Sequence, residues 1–182
     1  IPLIEHIAAK KLPIFISTGM ASNDEISDAV ECIKNQGNND IIVMHCITSY
    51  PTNFEDANLS MISSLQNQFP EHVIGFSDHT VGISAAIASF SNGVRIVEKH
   101  FKLNGENKSP DQSFSINEDQ IKQLRLEFDR LDKIYSKNLN LETKNSLFFR
   151  RSIYAISKIK KNEKFSKKNI ACFRPFIGLC AS

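Results

Sequence analysis

No apolar run in the 182 residues approaches the ~20 positions that a membrane-spanning helix needs. No charged stretch leads into an apolar one in the manner of a signal peptide. Cysteine is sparse: Cys32, Cys46, Cys172 and Cys180 are scattered, without a Cys-x-x-Cys pair. That spacing argues against a zinc ribbon or a disulfide scaffold and leads us to expect a reducing cytoplasm. Net charge is nearly absent as well, since 22 Lys and Arg face 20 Asp and Glu, leaving +2. So small an excess excludes the electrostatic footprint of a nucleic-acid binder. Also missing are a Gly-x-Gly-x-x-Gly fingerprint, a phosphate-binding Walker loop and a Gly-x-Ser-x-Gly nucleophile elbow. The hydrophobic content of 41% is that of an ordinary globular chain.

The charge is unevenly divided. Residues 151–182 hold eight basic residues and one acid, whereas residues 1–150 hold fourteen and nineteen. The chain also begins at Ile1 rather than Met and stops at Ser182 without a polar tail. Two folding units, at least one of them incomplete, are expected.

Hydrophobic patterning indicates strands at Pro13–Thr18, Ile41–Cys46, Val73–Ser77 and Val94–Phe101. Their starts are 28, 32 and 21 residues apart, with helical patterns between them. Repeated strand–helix units at that spacing predict a parallel α/β sheet. The segment Pro2–Ala9 reads as a helix without its preceding strand. Ser22-Asn-Asp-Glu25 and Ser115-Ile-Asn-Glu118 are capping boxes, each opening a helix. The second helix presents Ile121, Leu124, Phe128, Leu131 and Tyr135. Residues 136–148 read as a linker, and Arg151–Ile156 as a strand. The lysines between Lys158 and Lys168 read as a solvated surface.

Chemistry concentrates where the strands end. The first strand closes on Ser17-Thr18-Gly19, the second on Cys46-Ile-Thr-Ser-Tyr50, and the third on Ser77-Asp-His-Thr80. Glu98 and His100, two residues apart on the fourth, project to one face. Parallel sheets and barrels build their sites at that edge, because loops and helix N-termini converge there. Two imidazoles and a carboxylate suit a divalent ion, yet His79 and His100 could equally be hydrogen-bonded pocket residues. Ser17, Thr48 and Ser77 suit phosphate or carboxylate oxygens, although such residues cap helices everywhere. His45, inside a strand, reads as structural, Cys46 as a small core residue, and His6 and His72 as surface residues.

Ile16-Ser-Thr-Gly-Met20, His45-Cys-Ile-Thr-Ser-Tyr-Pro51, Gly75-Phe-Ser-Asp-His-Thr80, Val97-Glu-Lys-His-Phe101 and Ser109-Pro-Asp111 together resemble the sialic acid synthase (NeuB-like) family. These are the phosphoenolpyruvate-dependent synthases of nonulosonic acids. Arg150-Arg-Ser-Ile-Tyr154 with Arg174-Pro175 is similar to the start of their small antifreeze-like (SAF) domain. The resemblance implies the C-terminal half, strands five to eight, of a (β/α)8 TIM barrel over residues 1–135. A linker over 136–148 and the beginning of the SAF domain over 149–182 would follow. It implies a domain-swapped homodimer whose missing upstream half brings lysines and a further glutamate, so that this piece alone is inactive.

By the same resemblance, His79 and His100 bind Mn²⁺ or Mg²⁺, and Glu98 is catalytic. Ser17, Thr48 and Ser77 contact phosphoenolpyruvate, while Tyr50, Asp111 and Arg174 hold an N-acylated amino sugar. Thr48 stands where some members carry Asn, Ser109 replaces a usual Gly, and Phe176-Ile177 interrupts a usual Arg-Pro-Gly turn. The loop Pro110-Asp-Gln-Ser-Phe-Ser115 has the Phe of pseudaminic acid synthases, although Gln112 stands where those carry Ser and N-acetylneuraminate synthases carry His. The resemblance leans to the pseudaminic branch, with N-acetylneuraminate or legionaminic acid synthase as the alternative. Phe114 would suit the methyl group of a 6-deoxy sugar, or it would simply pack under the following helix. A non-catalytic barrel fragment is the alternative from another class, and a different phosphoenolpyruvate-using barrel is the enzymatic one.

Overall fold

The structure is a computed structural model and describes residues 1–105, 109–136, 146 and 148–180. It divides into two compact units, Ile1–Tyr135 and Ser136–Ser182. The linker expected over 136–148 lies largely outside the described residues.

The first unit is a layered α/β arrangement. In chain order it contains α1 (Pro2–Ala8), β1 (Ile14–Ser17), α2 (Asn23–Asn35), β2 (Ile41–Cys46) and α3 (Ser60–Gln68). It continues with β3 (Val73–Asp78), α4 (Ser84–Ser89), β4 (Val97–Lys99) and α5 (Glu118–Tyr135). The strands form one parallel sheet in the order β1-β2-β3-β4. Strand order that follows chain order, with a helix in each crossover, builds an open sheet of the kind that forms part of a TIM-like barrel.

Side-chain alternation divides the sheet into two faces. Ile41, Val43, Ile74 and Phe76 lie in the core with Ile26, Val30 and Ile33 of α2 and Ile62 and Leu65 of α3. Ile14, Ile16 and Val97 pack against the same core. The intervening residues, Phe15 and Ser17, Met44 and Cys46, Gly75 and Ser77, and Glu98, belong to the other face. Phe15 is 55% exposed there.

Local sequence accounts for both ends of α2. Glu25 N–H donates to Ser22 Oγ, and Ser22 N–H to the Glu25 carboxylate, completing the expected capping box of α2. Gly37, at φ +70°, follows that helix in the left-handed conformation that lets the chain leave it. The second expected box is displaced. Asn117 N–H donates to Gln120 Oε1, and Gln120 N–H donates to Asn117 Oδ1. Ser115 is buried and spends its hydroxyl on Asp111 O at 2.7 Å, while Ile116 bridges in parallel to Phe101. The chain is therefore still extended where the box was expected.

Strand β4 is also shorter than the apolar run suggested. Arg95 lies over the Phe90 ring at 3.5 Å and donates to Phe90 O and Val94 O, which keeps residues 94–95 wrapped around the end of α4. His72 is a further correction: its side chain is 3% exposed, beside Phe69, rather than at the surface.

The second unit holds an antiparallel pair, β5 (Ser152–Ala155) and β6 (Ile170–Phe173). Only the first of these was legible in the sequence. Ser152 Oγ and Tyr154 Oη both donate to Pro175 O, at 3.2 and 2.6 Å, fixing the chain beside Arg174. Lys158, Lys160, Lys161, Lys164, Lys167 and Lys168 are exposed, as a solvated surface requires.

Candidate active site

The face of the sheet carrying Ser17, Cys46, Ser77 and Glu98 ends at a polar cluster. It sits at the carboxyl edge, where the loops after β2, β3 and β4 meet. Ser17 closes β1 and is exposed, while its neighbour Thr18 turns inward and donates to Met44 O at 3.0 Å. Gly19 follows, and the position has a steric reason: a Cβ there would collide with Thr48 Oγ1 and approach Cys46 Sγ at 3.2 Å. The absent side chain lets the Thr48 hydroxyl lie directly against the β1 loop.

Ser77 and Glu98 are register partners across β3 and β4. Ser77 Oγ donates to Glu98 Oε1 at 2.6 Å. The sequence placed both residues in the site but not in contact with each other. Cys46 lies beside them, buried as expected for a small core residue, and it also floors the site. Burial pushes its thiol up from the usual range, Ser77 opposes the shift, and the Glu98 charge adds to it.

The two histidines come together at the top of this cluster. Their ring centroids are 5.2 Å apart, at 74°. His79 is buried, and its Nδ1 lies 2.9 Å from Ile47 O. A carbonyl oxygen can only accept, so Nδ1 carries the proton and Nε2 carries the lone pair. His100 Nδ1 lies 3.1 Å from Asp111 Oδ2, and the same logic leaves its Nε2 as the basic nitrogen. A histidine anchored through one nitrogen and basic at the other is how metal-ligating imidazoles are ordinarily held. The donor chemistry thus fits a divalent ion whose remaining ligands come from elsewhere. Among the described residues, no group of three or more His, Cys, Asp and Glu side chains is set to hold a metal.

Tyr50 covers the pair, with its ring centroid 4.3 Å from that of His79 and 5.9 Å from that of His100. Its loop is fixed to the next strand, since Thr52 N–H donates to His79 O at 3.0 Å. Phe114 is 3% exposed and meets His100 edge-on at 4.8 Å. The sequence offered two roles for this ring, against a sugar methyl or under the helix. The structure buries it against the His100 ring, with its centroid 5.8 Å from that of Tyr50.

Asp111, expected at the sugar, is bonded to His100. Arg174 is exposed in the second unit, after β6. His45 is structural, as expected: it bonds Ala57 O at 2.9 Å and stacks on Phe76, and burial holds its imidazole below the ordinary value. Sequence reasoning overlooked Asp78 and Lys99, which alternate with the site residues. Their only signal was the strict two-residue period of Ser77-Asp-His79 and Glu98-Lys-His100.

Comparison with known proteins agrees with this architecture. The chain is 36% identical over 179 residues to a pseudaminic acid synthase of Campylobacter jejuni, covering 97% of this chain and 52% of that protein. It is 34% identical over 187 residues to an N,N'-diacetyllegionaminic acid synthase of the same species, covering 100% of this chain and 56% of the relative. The crystal structure of the spore coat polysaccharide biosynthesis protein SpsE from Bacillus subtilis superposes with a TM-score of 0.71 at 31% identity, over 95% of this chain and 53% of that one. The chain spans about half the length of the curated relatives it matches. The model of the NeuB family matches residues 1–139, and on that match and these relatives the chain belongs to the NeuB family.

Proposed function

We propose that the protein condenses phosphoenolpyruvate with an N-acylated amino sugar, giving a nine-carbon nonulosonic acid and phosphate. One observation carries most of this reading: two imidazoles, each held through its Nδ1, stand beside a Ser77–Glu98 pair at one carboxyl edge. A divalent ion, Mn²⁺ or Mg²⁺, held by His79 and His100 would supply electrophilic activation of the sugar aldehyde.

The residues of this chain act alongside the lysines and the further glutamate that the resemblance assigns to the upstream half. Ser17, Thr48 and Ser77 hold phosphoenolpyruvate so that its C3 faces the aldehyde carbon. The new bond joins these two carbons at the expense of the C2=C3 and aldehyde π bonds, so that the aldehyde oxygen takes up a proton to become a hydroxyl and positive charge is left at C2. Glu98, oriented by the Ser77 hydroxyl, stabilises that charge and takes a proton from the water that adds to C2. Collapse of the tetrahedral centre forms the 2-oxo acid and breaks the bond to phosphate. Tyr50, Asp111 and Arg174 hold the sugar, Arg174 reaching it from the SAF domain, which begins over 149–182, of a partner subunit in a domain-swapped, cytoplasmic homodimer. No described helix is long and apolar enough to cross a membrane.

The product we propose is pseudaminic acid. It is supported by the loop Pro110-Asp-Gln-Ser-Phe-Ser115 and by the pseudaminic acid synthases among the relatives. The test is competition in one vessel. Full-length enzyme, phosphoenolpyruvate, N-acetylmannosamine and a 2,4-diacetamido-2,4,6-trideoxy sugar are combined, and the products are separated by mass. The trideoxy sugar is expected to be consumed first. Preferential formation of N-acetylneuraminate overturns the product assignment, and absence of phosphate release with every sugar overturns the reaction.

A further inference from the structure

Directly behind the two histidines lies an ion pair that the proposed reaction does not use. Asp78 and Lys99 are register partners, on the sheet face opposite Ser77, His79, Glu98 and His100. Their side chains are 0% and 5% exposed, and Lys99 Nζ stands 2.8 Å from Asp78 Oδ2. The ammonium also donates to Thr80 O at 2.6 Å and to Asp78 O at 3.3 Å. Asp78 Oδ1 in turn accepts from Thr80 N–H at 2.8 Å. Residues 78 and 80, on either side of His79, are therefore both tied to the residue that precedes His100.

A buried ion pair is weak evidence of a stability device, because desolvating two charges offsets their attraction, and an apolar pair of similar volume often serves as well. The neighbouring positions on this face, Ile74, Phe76 and Val97, are apolar. What the pair does supply is geometry. Three ammonium hydrogens directed at fixed acceptors leave the backbone around His79 little freedom relative to His100.

We infer that Asp78 and Lys99 are positioning residues that set the spacing of His79 and His100 for a shared divalent ion. This rests on the metal reading proposed above. Removing one partner would strand a buried charge, so the informative variant replaces both: Asp78→Leu with Lys99→Met in the full-length enzyme. Two measurements are made. Mn²⁺ affinity is read from free Mn²⁺ by electron paramagnetic resonance, and the metal-free double variant is crystallised to measure the ring separation.

The double variant is expected to fold with an unchanged or higher urea midpoint. It should bind Mn²⁺ about 10–100-fold more weakly, with the ring separation displaced from 5.2 Å. Affinity within about twofold of the parent, or an unmoved ring separation, overturns the inference. So does a double variant that cannot fold, since the pair would then be a requirement of folding. If the parent itself binds no Mn²⁺, the metal reading fails, and the ring separation alone decides whether the pair positions the histidines.

Discussion

Asp111 has two possible duties, and one substitution series separates them. Its carboxylate sits 3.1 Å from His100 Nδ1, with the two side chains 44% and 33% exposed. Its backbone is held independently, because Asp111 O accepts from Ser115 N–H at 3.0 Å and from Ser115 Oγ at 2.7 Å. Asp111→Ala therefore removes the carboxylate and leaves the loop in place. Loss of such an outer partner typically weakens metal binding about 10–100-fold. Partial exposure puts this case near the lower end, about tenfold or ~1.4 kcal/mol. Asp111→Asn keeps an oxygen that accepts from Nδ1–H but loses the charge, and a neutral hydrogen bond is roughly half as strong as a charge-assisted one. That variant should lose about half the free energy, or roughly threefold in affinity. Mn²⁺ titration of the full-length enzyme gives both values, with the KM for the sugar measured alongside. Unchanged Mn²⁺ affinity in Asp111→Ala, together with a raised KM for the sugar, would refute the orienting role and return the carboxylate to the sugar.

Two further outcomes follow from the packing. A Cβ on Gly75 would collide with Met44 Sδ, meet Met44 Cε at 2.9 Å and Ile96 O at 3.0 Å, and Met44 is fully buried. Gly75→Ala should cost about 1–3 kcal/mol in urea unfolding, and a double-mutant cycle with Met44→Ala should show coupling of at least ~0.5 kcal/mol. Additive effects would mean that the two residues do not share that space. His45 is held below its ordinary value of 6.5 by burial, against the opposing bond to Ala57 O. The unfolded chain therefore binds the proton more readily, so this contribution to stability is complete above pH 6.5 and is lost as the pH falls toward the lower folded value. His45→Gln should flatten that acid limb in urea midpoints measured from pH 7.5 down to about 5, and an unaltered pH dependence would refute it.

Local features of the chain were enough to establish the strand–helix alternation, the parallel sheet and the edge at which the chemistry gathers. They were enough because a two-residue or 3.6-residue period, and a cap such as Ser22 with Glu25, involve neighbours in sequence. The motifs around Ser77 and Glu98 carried the family for the same reason. What depended on tertiary structure was every partnership across the chain. Asn117 replaced Ser115 as the cap because Asp111 O claimed the serine hydroxyl. Phe114 packs edge-on against His100 because the 109–116 loop folds back on that residue. Asp78 and Lys99 became partners only because the β3–β4 register set them opposite each other on the covered face. Periodicity shows that residues alternate between two faces. It does not show which face is buried or who stands across the ladder, since both depend on strand pairing between distant segments.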